Sequence, residues 1–210
     1  MSHSFKVMRY LLTAAAASLL VASQATSAQA NTAASVAAST CTACHGMHGE
    51  GAPSGAPRLA RQNADYMNHA LSMFKAGTRA SAIMQPIARN LSDTEIRQLA
   101  DYFSQQSGPR VTAAAAALPQ LVFAGKQLAE MGTANVAACF SCHAPQGKGN
   151  GARFPRIAAE PAQFVSNRLH EFQARAQAAT PAPGTMTAVA AKLDESQIAA
   201  AAAYLSQLEP

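Results

Sequence analysis

Cysteine is scarce in this chain, with four residues in 210, and they fall into two pairs, Cys41/Cys44 and Cys139/Cys142. Long apolar runs are scarcer still. The one near the N-terminus, Tyr10 to Ala22, spans 13 residues, short of the roughly 17 to 25 that a membrane-crossing helix requires. Charge is thin, 13% Asp, Glu, Lys and Arg, and it gathers nowhere into a basic run interleaved with aromatics. That excludes a nucleic-acid surface. No alternating polar and apolar stretch of useful length occurs either, which excludes a sheet-built core and leaves an all-α fold.

The first thirty residues carry Lys6 and Arg9, then the short apolar run, then Ala28-Gln29-Ala30 before Asn31. This is the layout of a secretory signal peptide over residues 1–30, cut after Ala30. Past that point no apolar stretch is long enough to span a bilayer, so the mature chain is expected to be exported without an integral span. Losing Lys6 and Arg9 lowers the formal net charge from +5 to +3, too little to imply a nucleic-acid or membrane partner.

The cysteines sit in Cys41-Thr42-Ala43-Cys44-His45 and, ninety-eight positions on, in Cys139-Phe140-Ser141-Cys142-His143. Two cysteines two residues apart with histidine directly after the second form the attachment signature of c-type haem. The thiols add to the porphyrin vinyl groups, and the adjacent imidazole turns under the ring to bind iron. Two disulfides would be the ordinary reading in an exported protein, but they leave His45 and His143 unexplained. A shared zinc site is disfavoured by the 94 residues between the pairs, against about 15 to 20 in common two-pair zinc modules. The expected cofactors are therefore two covalently attached haem c groups, whose four propionates would bring the assembly to about −1.

The motif is part of a longer repeat. At an offset of 98, Gly49 matches Gly147, Gly51 matches Gly149, Pro57-Arg58 matches Pro155-Arg156, and Tyr66, Leu71 and Phe74 match Phe164, Leu169 and Phe172. Four extra residues around Pro181-Ala182-Pro183-Gly184 shift the offset to 102, at which Met84 matches Met186, Ile96 matches Ile198 and Tyr102 matches Tyr204. The expected organisation is one domain over residues 31–107, a linker over 108–119 rich in Ala and bounded by Pro, and a second domain over 120–210.

Within each copy, Tyr66, Met67, Ala70, Leu71 and Phe74 mark a middle helix. Ser92 with Glu95, and Asp194 with Gln197, are capping boxes opening a terminal helix. Each copy is only about 80 to 90 residues, a size at which side chains alone build a marginal core. A buried porphyrin would supply the missing apolar volume, so the apoprotein is expected to be poorly folded.

His45 and His143 are the fifth iron ligands by adjacency. Met47 and His48 lie too close to His45 to reach the far face of the same haem. Met67 falls on the apolar face of the middle helix, Met73 matches Glu171, and His69 and His170 do not recur. Met84 alone recurs as methionine, at Met186, in what reads as an extended, proline-stiffened segment before the terminal helix. Met84 and Met186 are thus the expected sixth ligands. Methionine and histidine together fill both axial positions and raise the potential. Pro57 and Pro155 each lie twelve residues after their histidine, placed for a backbone carbonyl to accept the second imidazole N–H. Arg58 and Arg156 are candidates either to pair with propionates or to lie solvated on the surface.

With these residues in hand, each half resembles a class I cytochrome c, and the tandem resembles the dihaem cytochrome c4 family. The resemblance rests on Cys41 to Gly46, Pro57-Arg58-Leu59-Ala60, Met84-Gln85-Pro86-Ile87 and Leu91-Ser92-Asp93, and on Cys139 to His143, Pro155-Arg156-Ile157-Ala158, Met186 and Leu193-Asp194-Glu195. It implies a periplasmic electron carrier without chemistry of its own, serving redox protein partners in a respiratory chain, toward a terminal oxidase, and often associated with the membrane. Two departures stand out: a short leading helix before Cys41, and Ala144 where the first copy has Gly46. The same fold also suits the dihaem subunit of a dehydrogenase, such as the partner of a flavin-containing sulfide dehydrogenase. A dihaem enzyme, a peroxidase or thiosulfate dehydrogenase, needs one open iron position, and both copies offer the same methionine.

Overall fold

The protein, seen in a computed structural model that describes residues 33–111 and 117–210, is built of helices joined by loops. The expected signal peptide and residues 112–116 of the expected linker lie outside the described residues. Among the described residues the one β contact is an isolated bridge between Asn150 and Phe154.

In the first half a helical turn over 33–36 runs into a π-helical stretch, Ala37–Cys41, and then into α1, Thr42–His45. Gly46 stops it at φ 83°. Helix α2, Ala64–Lys75, opens on Asn63, whose side chain accepts the N–H groups of Asp65 and Tyr66. Helix α3 is Met84–Arg89, and α4 is Asp93–Gln105 with the full Ser92/Glu95 capping box. Helix α4 lays Ile96, Leu99, Ala100 and Phe103 against Met67 of α2 and Ala37. Each of its three large side chains contributes roughly 1.5 to 3 kcal/mol by leaving water.

The second half repeats the plan. Helix α5, Pro119–Met131, starts on a proline and ends at Gly132 with φ 71°, the terminal pair that helices favour. Then come α6, Phe140–His143, α7, Ala162–Ala178, α8, Met186–Ala190, and α9, Glu195–Leu205, the last opened by the Asp194/Gln197 capping box. Helix α9 packs on α5 and α7. The crossing with α5 is close enough that a Cβ on Gly125 would stand 2.0 Å from the Ala200 carbonyl oxygen. Among the described residues, helical chain precedes Cys41 over 33–40, and α5 leads the second half.

The repeat extends to single backbone bonds. Gly51 N–H donates to the His45 carbonyl at 2.7 Å and Gly149 N–H to that of His143 at 2.7 Å. Leu59 and Ile157 donate to Gly49 and Gly147 at 2.7 and 2.8 Å, and Arg61 and Ala159, at φ 60° and 58°, donate to Phe103 and Leu205.

Two expectations need correction. Met84 and Met186 do not lie in extended chain: each is the first residue of a short helix. Pro86 is the third helical residue, where the N–H it lacks would have had no intrahelical partner anyway. Ser81 Oγ accepts the Met84 N–H at 3.0 Å, and Thr185 caps α8 through the Ala188 N–H. Nor is Arg58 solvated. It is 2% exposed, and its guanidinium donates to the carbonyls of Ala60, Pro109 and Gly108 at 3.1, 2.7 and 2.6 Å.

Candidate haem sites

Each CxxCH segment forms a single helical turn, α1 or α6, which sets its two cysteines and its histidine close together. Cys41 and Cys139 are half-buried, Cys44 and Cys142 exposed, and all four thiols are unpaired. Burial pushes the Cys41 thiol up and that of Cys139 up to about 11. A raised thiol is the opposite of what a catalytic nucleophile or a redox-active pair displays. Among the described residues no three His, Cys, Asp or Glu side chains converge as a metal cluster.

The histidines are buried and oriented identically. His45 Nδ1 lies 2.8 Å from the Pro57 carbonyl oxygen, and His143 Nδ1 lies 2.8 Å from that of Pro155. A carbonyl only accepts, so Nδ1 carries the proton and donates, and the lone pair of each ring is left on Nε2. Burial lowers both imidazoles, more than the proline carbonyls raise them, which favours the neutral ring that iron binds. Gly49 and Gly51, and Gly147 and Gly149, all at positive φ, let the loop fold back so that Pro57 and Pro155 reach their rings. The interval of twelve residues seen in the sequence is the length of that loop.

The remaining candidates separate by burial. Met67 is buried in the first core, with Val165 at the matched place in the second. Met47, His48, His69 and His170 are exposed, and His170 faces Glu195 at 3.1 Å. Met84 and Met186 are half-buried at the starts of α3 and α8, which pack on α2 and α7. In each short helix the residue four further on, Ala88 or Ala190, is completely buried and anchors it. The donor set therefore suits a c-type haem in each half: two thiols beside an imidazole whose Nε2 is free, and a thioether at matched positions.

Sequence reasoning passed over the residues joining the two halves. Arg58 N–H donates to Glu160 Oε2 at 2.8 Å, Arg156 N–H donates to Gln62 Oε1 at 2.8 Å, and Gln62 Nε2 donates to the Arg156 carbonyl at 2.9 Å. The signal was present, because Gln62 and Glu160 are also 98 apart, but two polar loop residues carry no periodicity that marks them as buried.

This fold with these two sites defines a class: all-α proteins carrying one c-type haem in each of two tandem domains. The cytochrome c family profile matches residues 30–107 and again 123–209. Cytochrome c4 of Azotobacter vinelandii is 36% identical over 183 residues, which cover 81% of this chain and 85% of that protein. The thiosulfate dehydrogenase electron acceptor of Stutzerimonas stutzeri (strain A1501) is 33% identical over 175 residues, covering 82% of this chain and 80% of that protein. Among solved structures, reduced recombinant cytochrome c4 from Pseudomonas stutzeri superposes with a TM-score of 0.72 at 32% identity, over 86% of this chain and 98% of that one. The chain belongs to the cytochrome c family, in its dihaem cytochrome c4 branch.

Proposed function

We propose that this chain is an exported carrier of two electrons, one per domain, with no reaction of its own. In this reading residues 31–107 and 120–210 are the two domains, joined by 108–119. Cys41 and Cys44 would hold one haem c by thioether bonds, and Cys139 and Cys142 the other. His45 with Met84 would hold one iron, and His143 with Met186 the other. Bound haem supplies reversible one-electron chemistry at iron. The protein's own part is to hold each imidazole by its Pro57 or Pro155 carbonyl, which fixes the ring and raises its basicity, and to offer a methionine thioether, which as an iron ligand would raise the potential.

The observation that carries this reading is the equality of the two halves. Both imidazoles meet their carbonyl at 2.8 Å, and both short helices begin on methionine. A dihaem enzyme would need one half altered to leave an iron position open. The signal peptide layout supports the periplasm as location, and no described helix is long and apolar enough to cross a membrane. The partners are then redox proteins of a respiratory chain, with a terminal oxidase as acceptor.

The near-infrared methionine-to-iron charge-transfer band of the oxidised, haem-loaded protein tests the assignment. It should correspond to two methionine-ligated irons per molecule, and Met84→Ala and Met186→Ala should each remove one. Retention of the full band in either variant refutes that ligand, and a wild-type count of one reopens the enzyme reading. A second reading, as electron acceptor of a thiosulfate dehydrogenase, draws on the relative that bears that name. It keeps the same sites and changes only the donor.

A further inference from the structure

The contact between the halves is built from matched residues that are not identical. On one side Gln62 accepts the Arg156 N–H through Oε1 and returns its own N–H to the Arg156 carbonyl, so the amide closes a two-bond ring on the backbone. On the other side Glu160, the counterpart of Gln62, accepts the Arg58 N–H. An ionised carboxylate only accepts and leaves that ring half made. A carboxylic acid carries one O–H and closes it as the amide does.

The surroundings favour the acid. Gln62 and Glu160 are each 5% exposed, and among the described residues Glu160 forms no ion pair. Three arginines face it: Arg58 from the loop before α2, Arg79 from the turn after α2, and Arg156 from the loop before α7. Their guanidinium groups make their hydrogen bonds elsewhere, and among the described residues the Nε–H groups of Arg79 and Arg156 are buried without a partner. That of Arg58 binds three carbonyls, that of Arg79 reaches the Tyr66 hydroxyl at 3.3 Å and lies over the Phe74 ring, and that of Arg156 reaches the Glu209 carbonyl at 3.2 Å. Arg61 acts on Arg58 and Arg156, and Glu50 on Arg58. A buried carboxylate with one hydrogen bond and no paired cation is costly. Burial outweighs the N–H bond and the three positive charges, and pushes the Glu160 carboxyl up to about 8.

We propose that Glu160 is a neutral carboxylic acid in the closed molecule, its O–H standing where Gln62 presents an amide N–H, and that its deprotonation as pH rises loosens the contact between the two halves. The proton leaves to solvent and the O–H···O bond to the Arg58 carbonyl is lost. When the halves part, the carboxyl meets water and returns toward 4.5, so between 4.5 and about 8 the closed molecule holds one proton more than the open one. Closure is therefore fully favoured below that window, weakens about tenfold per pH unit across it, and weakens no further above it.

Two measurements on the haem-loaded full chain test this. Infrared difference spectra of wild type against Glu160→Gln at pH 6 should contain a protonated-carboxyl C=O stretch belonging to the wild type; its absence overturns the proposal. Amide hydrogen exchange at Arg58 and Arg156, corrected for the intrinsic pH dependence of exchange, should speed up about tenfold per pH unit between pH 6 and 7 in wild type. In Glu160→Gln, whose amide reproduces the Gln62 side, the corrected rates should stay level. Equal profiles in the two proteins overturn it.

Discussion

Position 144 follows the Cys139–His143 turn of the second half, and there the two copies differ by one methyl group. Gly46 adopts φ 83°, ψ 159°, and Ala144 is held at φ 62°, ψ 162°. That corner of backbone space is essentially reserved for glycine, and a residue with a Cβ is strained there by about 1 to 3 kcal/mol. Replacing it with glycine relieves the strain and costs something in unfolded-chain entropy. Ala144→Gly is accordingly expected to stabilise the second domain by about 1 kcal/mol, seen as a higher urea midpoint for its unfolding. An unchanged or lowered midpoint would show that the strain is absorbed elsewhere. The missing glycine was visible in the sequence; the conformation that makes it matter was not, since nothing near Ala144 reports its φ. The same holds for Arg58, whose buried role depends on three carbonyls, two of them fifty residues away in the sequence.

At the scale of elements, the crossing of α5 and α9 is set by what Gly125 lacks. In an exposed helix, alanine for glycine gains up to about 1 kcal/mol of helix propensity. Here the added Cβ meets a backbone carbonyl rather than a flexible side chain, and overpacking of that kind costs about 1 to 3 kcal/mol. The clash wins: Gly125→Ala should lower the stability of the second domain by about 1 to 2 kcal/mol, measured by chemical denaturation, and a gain would mean that the helices part freely. Elements with strong end signals were legible from the sequence, including both capping boxes and the apolar faces behind them. Helices α3 and α8 were not. At six and five residues they are too short to show a helical period, and Pro86 reads as a breaker until its place in the first turn is known. The CxxCH turns were legible because covalent attachment of haem demands fixed residues at fixed spacing, and the proline carbonyls because the same interval occurs twice.

For the whole molecule, the halves keep separate apolar cores and meet through buried polar groups. Arg58 is central, since one guanidinium holds Ala60 of its own domain together with Gly108 and Pro109 at the start of the connection. Lysine has the charge but not the planar fork. Arg58→Lys should leave carbonyls unsatisfied at a cost of about 1 to 3 kcal/mol and separate the unfolding of the two domains in calorimetry. A single unchanged transition would argue that the cores communicate another way. This organisation was only half visible in the sequence: the repeat announces two domains, while the way they meet depends on residues such as Gln62 and Glu160 that are ordinary in isolation.

The clamp on Gly108 and Pro109 also bears on how strong that meeting has to be. Two domains on one chain present themselves to each other at an effective concentration in the millimolar range when the tether is short, and Arg58 takes up the first part of that tether. An interface far too weak to hold two separate proteins together is then enough to keep these domains mostly joined. A balance so shallow can be moved by a single buried proton.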